Sequence, residues 1–441
     1  MANPPPLAPT SQALDRALTL AAEGDLEEAL AWSLAALRRG VGSGVALLLT
    51  ARWAFELGRE AAALEGLKAC VQHAIAAGQL PVAVAACAEL RRLGADASAG
   101  YSAISEAYAA GSSAHEGASV SPPAIPGAAQ EELAPLDIRG EMLADAAEEA
   151  LRELPPAGAL RGLPHAPLFS ALGAEALSAF IELFELRVAP VGACLIEEGA
   201  LGEEAFVVVR GELEVSRAAR EEGAPPIPLA RLGAGALVGE MALISRAPRA
   251  ATVCCVRPSL VLSAGKAGVD ALAAREPALG DEFAAQFRRR MLDNLVRTSE
   301  VLRAVSPRQR PALIERFVTR AYDAGERLIE QDQPSDGLHL IASGAVEVIH
   351  RDPAGDLALA ALGVGEVVGE VALVLRRPST ADVVASAPTV TLHLPRSEFQ
   401  QAIKEHPQLL AELYDLATRR DEQTSSIVAQ ETTEVDDFVL I

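Results

Sequence analysis

The pattern of apolar and polar positions changes character twice along the 441-residue chain. From about residue 11 to 113, apolar residues recur at helical spacing, broken by short Gly, Asp and Ser punctuation. A period is visible there. Gly24 and Gly58 lie 34 residues apart, Ala29 and Ala63 follow them by five, and Ala36 and Cys70 by twelve. Each glycine turn precedes an Ala-rich helix, and further helical patterns cover Gln79–Leu93 and Ala99–Ala109, although Gly94 is two residues out of phase. From about Gly111 to Pro156 the composition shifts to Ser, Pro, Ala and Glu. Such a stretch buries too little apolar area to offset its ordering entropy, so 114–160 reads as a mobile linker. A short amphipathic helix over Gly140–Leu154 interrupts it and is free to dock on either neighbour. After a helical entry, PLFSALGAEALSAFIELF, come short alternating runs, LRVAPVGACLIEEG and EEAFVVVRGELEVSR, punctuated by Gly192, Gly199, Gly202 and Gly211. Many short strands with glycine turns predict a rolled or closed antiparallel sheet. A helical stretch from Pro277 to about Thr298 follows.

The strand pattern then repeats. Gly325, Asp336 and Gly344 lie 133 residues after Gly192, Glu203 and Gly211, and a shorter hairpin loop moves the offset to 130 for Gly369 and Glu370. The expected organisation is therefore a disordered start at 1–10, a helical repeat region at 11–113, the linker at 114–160, one roll at 161–298, a second at 299–420, and an acidic tail at 421–441. The tail reads as a docking peptide or a disordered end.

The chemistry concentrates in Gly239–Val253, GEMALISRAPRAATV. Backbone N–H groups at the start of a short helical turn point at an anion and carry partial positive charge. The fork of Arg249 can give two charge-assisted hydrogen bonds to phosphate oxygens, and the Glu240 carboxylate can accept one from a sugar hydroxyl. Ala242, Ala250 and Ala251 permit close backbone approach. This stretch resembles the phosphate-binding cassette of the cyclic nucleotide-binding domain, shared by protein kinase A regulatory subunits and the catabolite activator family. The match is Gly-Glu-x-Ala-Leu, a short spacer, then Pro-Arg-Ala-Ala-Thr; Val238 replaces the aromatic residue that members often carry before the glycine. The expected fold is an α+β multidomain chain: an amino-terminal α-helical repeat array, read from the period, followed by two β-roll, jelly-roll-like domains with flanking helices, which the resemblance implies. The resemblance assigns Glu240 to the ribose 2′-hydroxyl and Arg249 to the cyclic phosphate. Gly239 and Ala250 would add backbone contacts, and Met241, Ala242, Pro248, Ala251 and Thr252 complete the candidate site. Glu203 aligns with the acid that orients the arginine from behind, or is a solvated loop carboxylate. Ala250 offers no hydroxyl to a guanine amino group, which favours cyclic AMP over cyclic GMP. Phe283 and Phe287 either cap the base or pack on the roll, and Arg288–Arg290 read as a solvated face.

The second cassette reads GEVALVLRRPSTADV and carries the degenerate site Gly369, Glu370, Ser379 and Asp382. Glu370, Ala372, Leu373 and Pro378 persist, but Ser379 matches Arg249 and Asp382 matches Thr252. With Asp336 at the arginine-orienting position, two carboxylates are expected to face a site built for an anion and to repel it. Arg376 and Arg377 reach in from the preceding turn or are solvated. Arg376-Arg377-Pro378-Ser379 also fits a basophilic kinase pattern.

Composition narrows the remaining readings. A formal charge of −22 with no basic face argues against a nucleic-acid partner. No helix-turn-helix follows the rolls. No uninterrupted apolar run reaches a membrane-spanning length, and MANPPPLAPT has no signal-peptide pattern, so no membrane partner and a cytoplasmic location are expected. Cys70, Cys87, Cys194, Cys254 and Cys255 read as buried thiols in a reducing compartment, with Cys254 and Cys255 on opposite strand faces. No metal, no nucleophile–base set and no Walker-type loop is expected, so no enzyme. The helical period resembles the tetratricopeptide repeat or is a generic helical-hairpin stack. The expectation is thus a cytoplasmic regulator that senses a cyclic nucleotide, cAMP, in its first roll and relays its state to a protein partner through the repeats; the alternative is a ligand-free scaffold.

Overall fold

The computed structural model describes residues 8–9, 12–40, 43–115, 132–154, 163, 169–218, 225–240, 248–249, 251–277, 281, 295, 299–306, 308–352 and 355–438. The chain divides into two compact units. One comprises Met1–Glu197, Glu203–Leu243 and Ala251–Gln286; the other comprises Glu198–Gly202, Ile244–Ala250 and Phe287–Ile441.

The first unit opens with β1 (Ala8–Pro9) and the helices α1 (Ala13–Ala22), α2 (Leu26–Arg38), α3 (Ser43–Glu56), α4 (Glu60–Ala76), α5 (Leu80–Arg92) and α6 (Ser98–Tyr108). Each helix packs on the next. Small residues dominate the contact faces: Ala29, Ala36, Ala46, Ala63, Ala83 and Ala85 are fully buried, and Trp32 fills the wider gap. Asp25 caps α2 by accepting from Glu28 N–H at 3.0 Å. Glu89, fully buried on α5, is neutralised by Arg92 at 2.8 Å and Arg52 at 3.5 Å.

The segment expected to be a mobile linker is partly ordered. β2 (Glu132–Leu133) pairs with β1, and α7 (Gly140–Arg152) docks on α2, α3 and α4. Leu143, Ala147 and Leu151 form the buried stripe of α7, while Arg59 binds Glu141 at 2.6 Å, Asp145 at 2.7 Å and Glu148 at 3.2 Å. The amphipathic pattern demanded a partner, and the array rather than the roll supplies it.

The first roll follows α8 (Ala174–Ile181) and comprises β3 (Glu185–Ala189), β4 (Cys194–Ile196), β5 (Glu204–Arg210), β6 (Leu213–Arg217), β7 (Ile227–Leu232), β8 (Leu237–Val238), β9 (Thr252–Cys255) and β10 (Ser259–Gly265), closed by α9 (Lys266–Arg275). Two four-stranded antiparallel sheets result, ordered β3-β10-β5-β8 and β4-β9-β6-β7. Ile196, Phe206, Val208, Leu213, Val253 and Val261 fill the space between them. The roll and the helical array belong to one unit. Arg210 and Arg257 both donate to Asp15 on α1, and Arg91 on α5 donates to the Glu182 and Phe184 carbonyls after α8.

The second unit contains α10 (Glu300–Arg303), α11 (Arg310–Ile314), β11 (Val318–Tyr322), β12 (Arg327–Ile329), β13 (Gly337–Ser343), β14 (Val346–Asp352), β15 (Gly355–Leu362), β16 (Val367–Val368), α12 (Glu370–Val374), β17 (Asp382–Ala385), β18 (Thr389–Pro395), α13 (Arg396–Glu405) and α14 (Pro407–Phe438). Its sheets, β11-β18-β13-β16 and β12-β17-β14-β15, repeat the order of the first roll strand for strand. Residues 421–438, expected as a free acidic tail, continue α14.

Cys194 and Cys254 are not buried thiols: they are register partners across β4 and β9, with Cα atoms 3.9 Å apart, and are joined as a disulfide. Strand alternation sends Cys254 outward to meet the exposed Cys194, while Cys255 turns into the core. Cys70, Cys87 and Cys255 are buried thiols as expected.

Candidate functional site

Two backbone hydrogen bonds hold Arg249. Gly199 N–H donates to the Arg249 carbonyl at 2.8 Å, and Arg249 N–H donates to the Ala200 carbonyl at 3.0 Å. The half-buried side chain lies across Gly202, where a Cβ would displace the guanidinium from its present position. Pro248 beside it is likewise half-buried. Within the other unit, Gly239 takes left-handed backbone (φ 75°) directly after β8, and Glu240 behind it is 7% exposed. Ala251 precedes β9 and Thr252 opens it, both half-buried, with Thr252 in register with Ser216 of β6. Glu203 is exposed, and its carbonyl accepts from Lys266 N–H at 2.7 Å. Met241, Ala242 and Ala250 lie outside the described residues, as do Phe283, Phe287 and Arg288–Arg290.

The second roll reproduces this backbone with other side chains. Asp332 N–H donates to the Ser379 carbonyl at 2.9 Å, and Ser379 N–H donates to the Gln333 carbonyl at 2.9 Å. Ser379 therefore occupies the structural place of Arg249, and it is 6% exposed, enclosed rather than presented to a kinase. Gly369 repeats the left-handed turn (φ 88°) and leads into α12, whose first residue, Glu370, is 1% exposed.

The expected confrontation of two bare carboxylates is not what the fold builds. Asp382 is buried, but it accepts from Gln331 N–H at 2.6 Å and is clamped by Arg351 Nε at 3.0 Å and Arg327 Nε at 3.2 Å. Charge-assisted bonds of this kind offset the desolvation of a buried carboxylate. Glu370 is likewise held: Arg420 of α14 donates to its Oε1 at 2.7 Å and to the Val367 carbonyl at 2.6 Å. Arg377 pairs with Asp421 of α14, and Arg376 takes a left-handed backbone (φ 54°) in the exposed turn. Asp336 turns to Arg320 of β11, which donates at 2.7 Å, and to two histidines, His339 and His393. Hydrogen bonding from His339, then from Arg320, holds the Asp336 carboxyl well below the usual carboxylate range. Burial, reinforced by the neighbouring His339, lowers His393 to about 4.

Arg327, Arg351, Arg420 and the two histidines escaped the sequence reading. A signal for the first two was present: where the first roll has Cys194, Ala218 and Thr252, the second has Arg327, Arg351 and Asp382, a concerted exchange that introduces one acid and two bases. Nothing local marks Arg420, because a helix folding back from outside the roll delivers it.

The family comparison agrees with the two-roll part of this architecture. A model of the cyclic nucleotide-binding domain matches residues 186–276 and 319–406. The chain is 30% identical over 226 residues to the cAMP-dependent protein kinase type II regulatory subunit of Drosophila melanogaster, covering 51% of this chain and 56% of that one. It is 29% identical to the cAMP-dependent protein kinase regulatory subunit of Colletotrichum orbiculare, covering 47% and 52%. The chain thus spans about half the length of these relatives. Among solved structures, the regulatory domain of Toxoplasma gondii PKA with cAMP matches at 24% identity over 58% of this chain and 92% of that one, with a TM-score of 0.28. The regulatory subunit of a cAMP-independent protein kinase A from Trypanosoma brucei matches at 20% over 59% and 91%, with a TM-score of 0.30. The chain carries two cyclic nucleotide-binding domains in tandem, resembling those of protein kinase A regulatory subunits.

Proposed function

We propose that this chain is a non-catalytic, cytoplasmic regulator whose first roll binds a cyclic nucleotide, cAMP, and whose second roll does not bind one in the same way. The observation that carries this reading is the pair Arg249 and Ser379. The same two backbone ties hold both residues, so the rolls differ at the phosphate anchor by side chain alone. In the first roll Arg249 holds the cyclic phosphate, Glu240 the ribose, and Gly239, Met241, Ala242, Pro248, Ala250, Ala251 and Thr252 shape the cassette. In the second roll Arg420 engages Glu370, and Arg327 with Arg351 engages Asp382, so its acids are neutralised internally.

Ligand acts by population shift, favouring the state in which the cassette is closed. The Asp15 contacts tie the first roll to the helical array, which offers a partner a tetratricopeptide-like surface; a kinase of the type regulated by the matched relatives belongs to this reading. The Cys194–Cys254 bond pulls against a reducing cytoplasm, and the redox state of that pair in the cell tests the location.

Calorimetric titration of the full chain with cAMP is expected to show one site. Loss of two charge-assisted phosphate bonds in Arg249→Ala removes about 3–6 kcal/mol, a weakening of roughly 10²–10⁴-fold. Ser379→Ala leaves binding unchanged. No binding to the wild-type chain, or equal binding to Arg249→Ala, refutes the assignment. The internal neutralisation of the second roll also supports a scaffold; a partner captured equally with and without nucleotide would favour that reading.

A further inference from the structure

The second roll contains a side-chain cluster that the nucleotide reading does not use. His339 and His393 are far apart in sequence but are register partners across β13 and β18, so their rings leave the same face of the sheet, centroids 4.5 Å apart. Both are almost fully buried, at 0% and 2% exposure. Asp336, one residue before β13, brings Oδ1 to 3.3 Å from His339 Nε2 and 3.4 Å from His393 Nε2. The three ligand atoms lie within 4.8 Å of one another. Apart from the 3.4 Å approach of Nε2 to Asp336, the ring nitrogens of His393 have no polar partner, an unusual state for a buried imidazole.

We propose that Asp336, His339 and His393 form a binding site for a divalent transition cation, zinc by preference, with the fourth position open to water. The distances carry the argument. Four-coordinate zinc bonds imidazole nitrogen and carboxylate oxygen at about 2.0–2.1 Å, and the edges of such a tetrahedron are about 3.3–3.4 Å. Both measured edges to Asp336 Oδ1 have that length, so small movements place one ion at bonding distance from these atoms. The surroundings are those of outer-shell partners. Thr391 Oγ1 lies 3.3 Å from His339 Nδ1; when the metal displaces the Nε2–H bond to Asp336, the ring takes the Nδ1–H tautomer, donates that hydrogen bond to Thr391 and leaves the Nε2 lone pair for the metal. Arg320 takes Oδ2 of Asp336 and leaves Oδ1 facing the rings. Its positive charge also opposes a cation, so the site is weaker than a closed structural zinc site. Gly337 leaves the required space, since a Cβ there would overlap the His393 ring. Asp336 is half exposed, which gives the ion a way in.

The first roll serves as an internal comparison. At the same register places on β5 and β10 it has Phe206 and Ser263, which provide no imidazole, with Glu203 in place of Asp336. A site confined to one of two otherwise parallel rolls is separable from the nucleotide chemistry of either cassette.

The test uses the full chain, stripped with a chelator and titrated with zinc chloride by calorimetry, and separately with Co²⁺ followed by visible absorption. One zinc per chain is expected at micromolar concentrations, together with the intense visible bands of four-coordinate Co²⁺, bleached by added zinc. Asp336→Asn, at an exposed position, should keep the fold by circular dichroism and weaken zinc at least about tenfold. The double variant His339→Phe, His393→Ser, carrying the first roll's residues, should lose the Co²⁺ bands. Absence of binding at tens of micromolar zinc overturns the proposal. Zinc binding by a folded Asp336→Asn chain equal to that of the wild type also overturns it.

Discussion

Replacing Asp15 by alanine tests whether the helical array and the first roll act as one body. The Asp15 side chain is 13% exposed and receives Arg210 Nη2 at 2.7 Å and Arg257 Nε at 2.8 Å. A charge-assisted hydrogen bond contributes about 1.5–3 kcal/mol when enclosed. Arg210, 20% exposed, keeps that full value, whereas Arg257, 40% exposed, is rehydrated when its acceptor is removed and counts for less than about 1 kcal/mol. The expected loss is therefore about 2–4 kcal/mol. In a unit of this size each kcal/mol moves the midpoint by about 2–4 °C, so differential scanning calorimetry should show the transition of the first unit falling by roughly 4–16 °C. Asp15→Asn retains an acceptor oxygen without the charge and should fall between alanine and wild type. If both variants melt within about 1 °C of the wild type, the contact contributes nothing to cohesion and the proposed route from sensor to array is wrong.

Two further expectations follow from buried groups. Arg420→Ala strands Glu370 without its guanidinium; breaking a buried pair costs about 3–5 kcal/mol, reduced here to about 2–4 by the partial exposure of Arg420, and Glu370→Gln in the same chain should recover part of it in a denaturant titration. Burial pushes Cys70 and Cys87 up to about 12. Because the folded state favours the neutral thiol, their contribution is complete below the ordinary thiol pKa of about 8.5 and is lost as pH rises from there towards about 12. Stability of the first unit should decline over that window, and both thiols should resist alkylation at pH 8 until the chain is unfolded, which mass spectrometry can follow.

Periodicity by itself determined the helical region, the two rolls and their pairing. Apolar spacing at 3.6 and at 2.0 encodes burial directly, and the offsets of 133 and 130 identify matched strands before any contact is known. The equivalence of Arg249 and Ser379 was legible for the same reason, since a short cassette between fixed strands admits one alignment. The tertiary structure decided everything that depends on which faces meet. Strand register, not spacing along the chain, joined Cys194 to Cys254 and set His339 against His393. Charge alone suggested that Asp336 and Asp382 would repel an anion. Their neutralisation by Arg320, Arg327 and Arg351 arises from neighbouring strands. Glu370 finds its partner on a helix whose sequence pattern records a buried stripe but not the pocket it closes over. A sequence states which residues must be buried or paired; the partners of a charged or metal-binding side chain are chosen by strand register and helix docking, which no local pattern encodes.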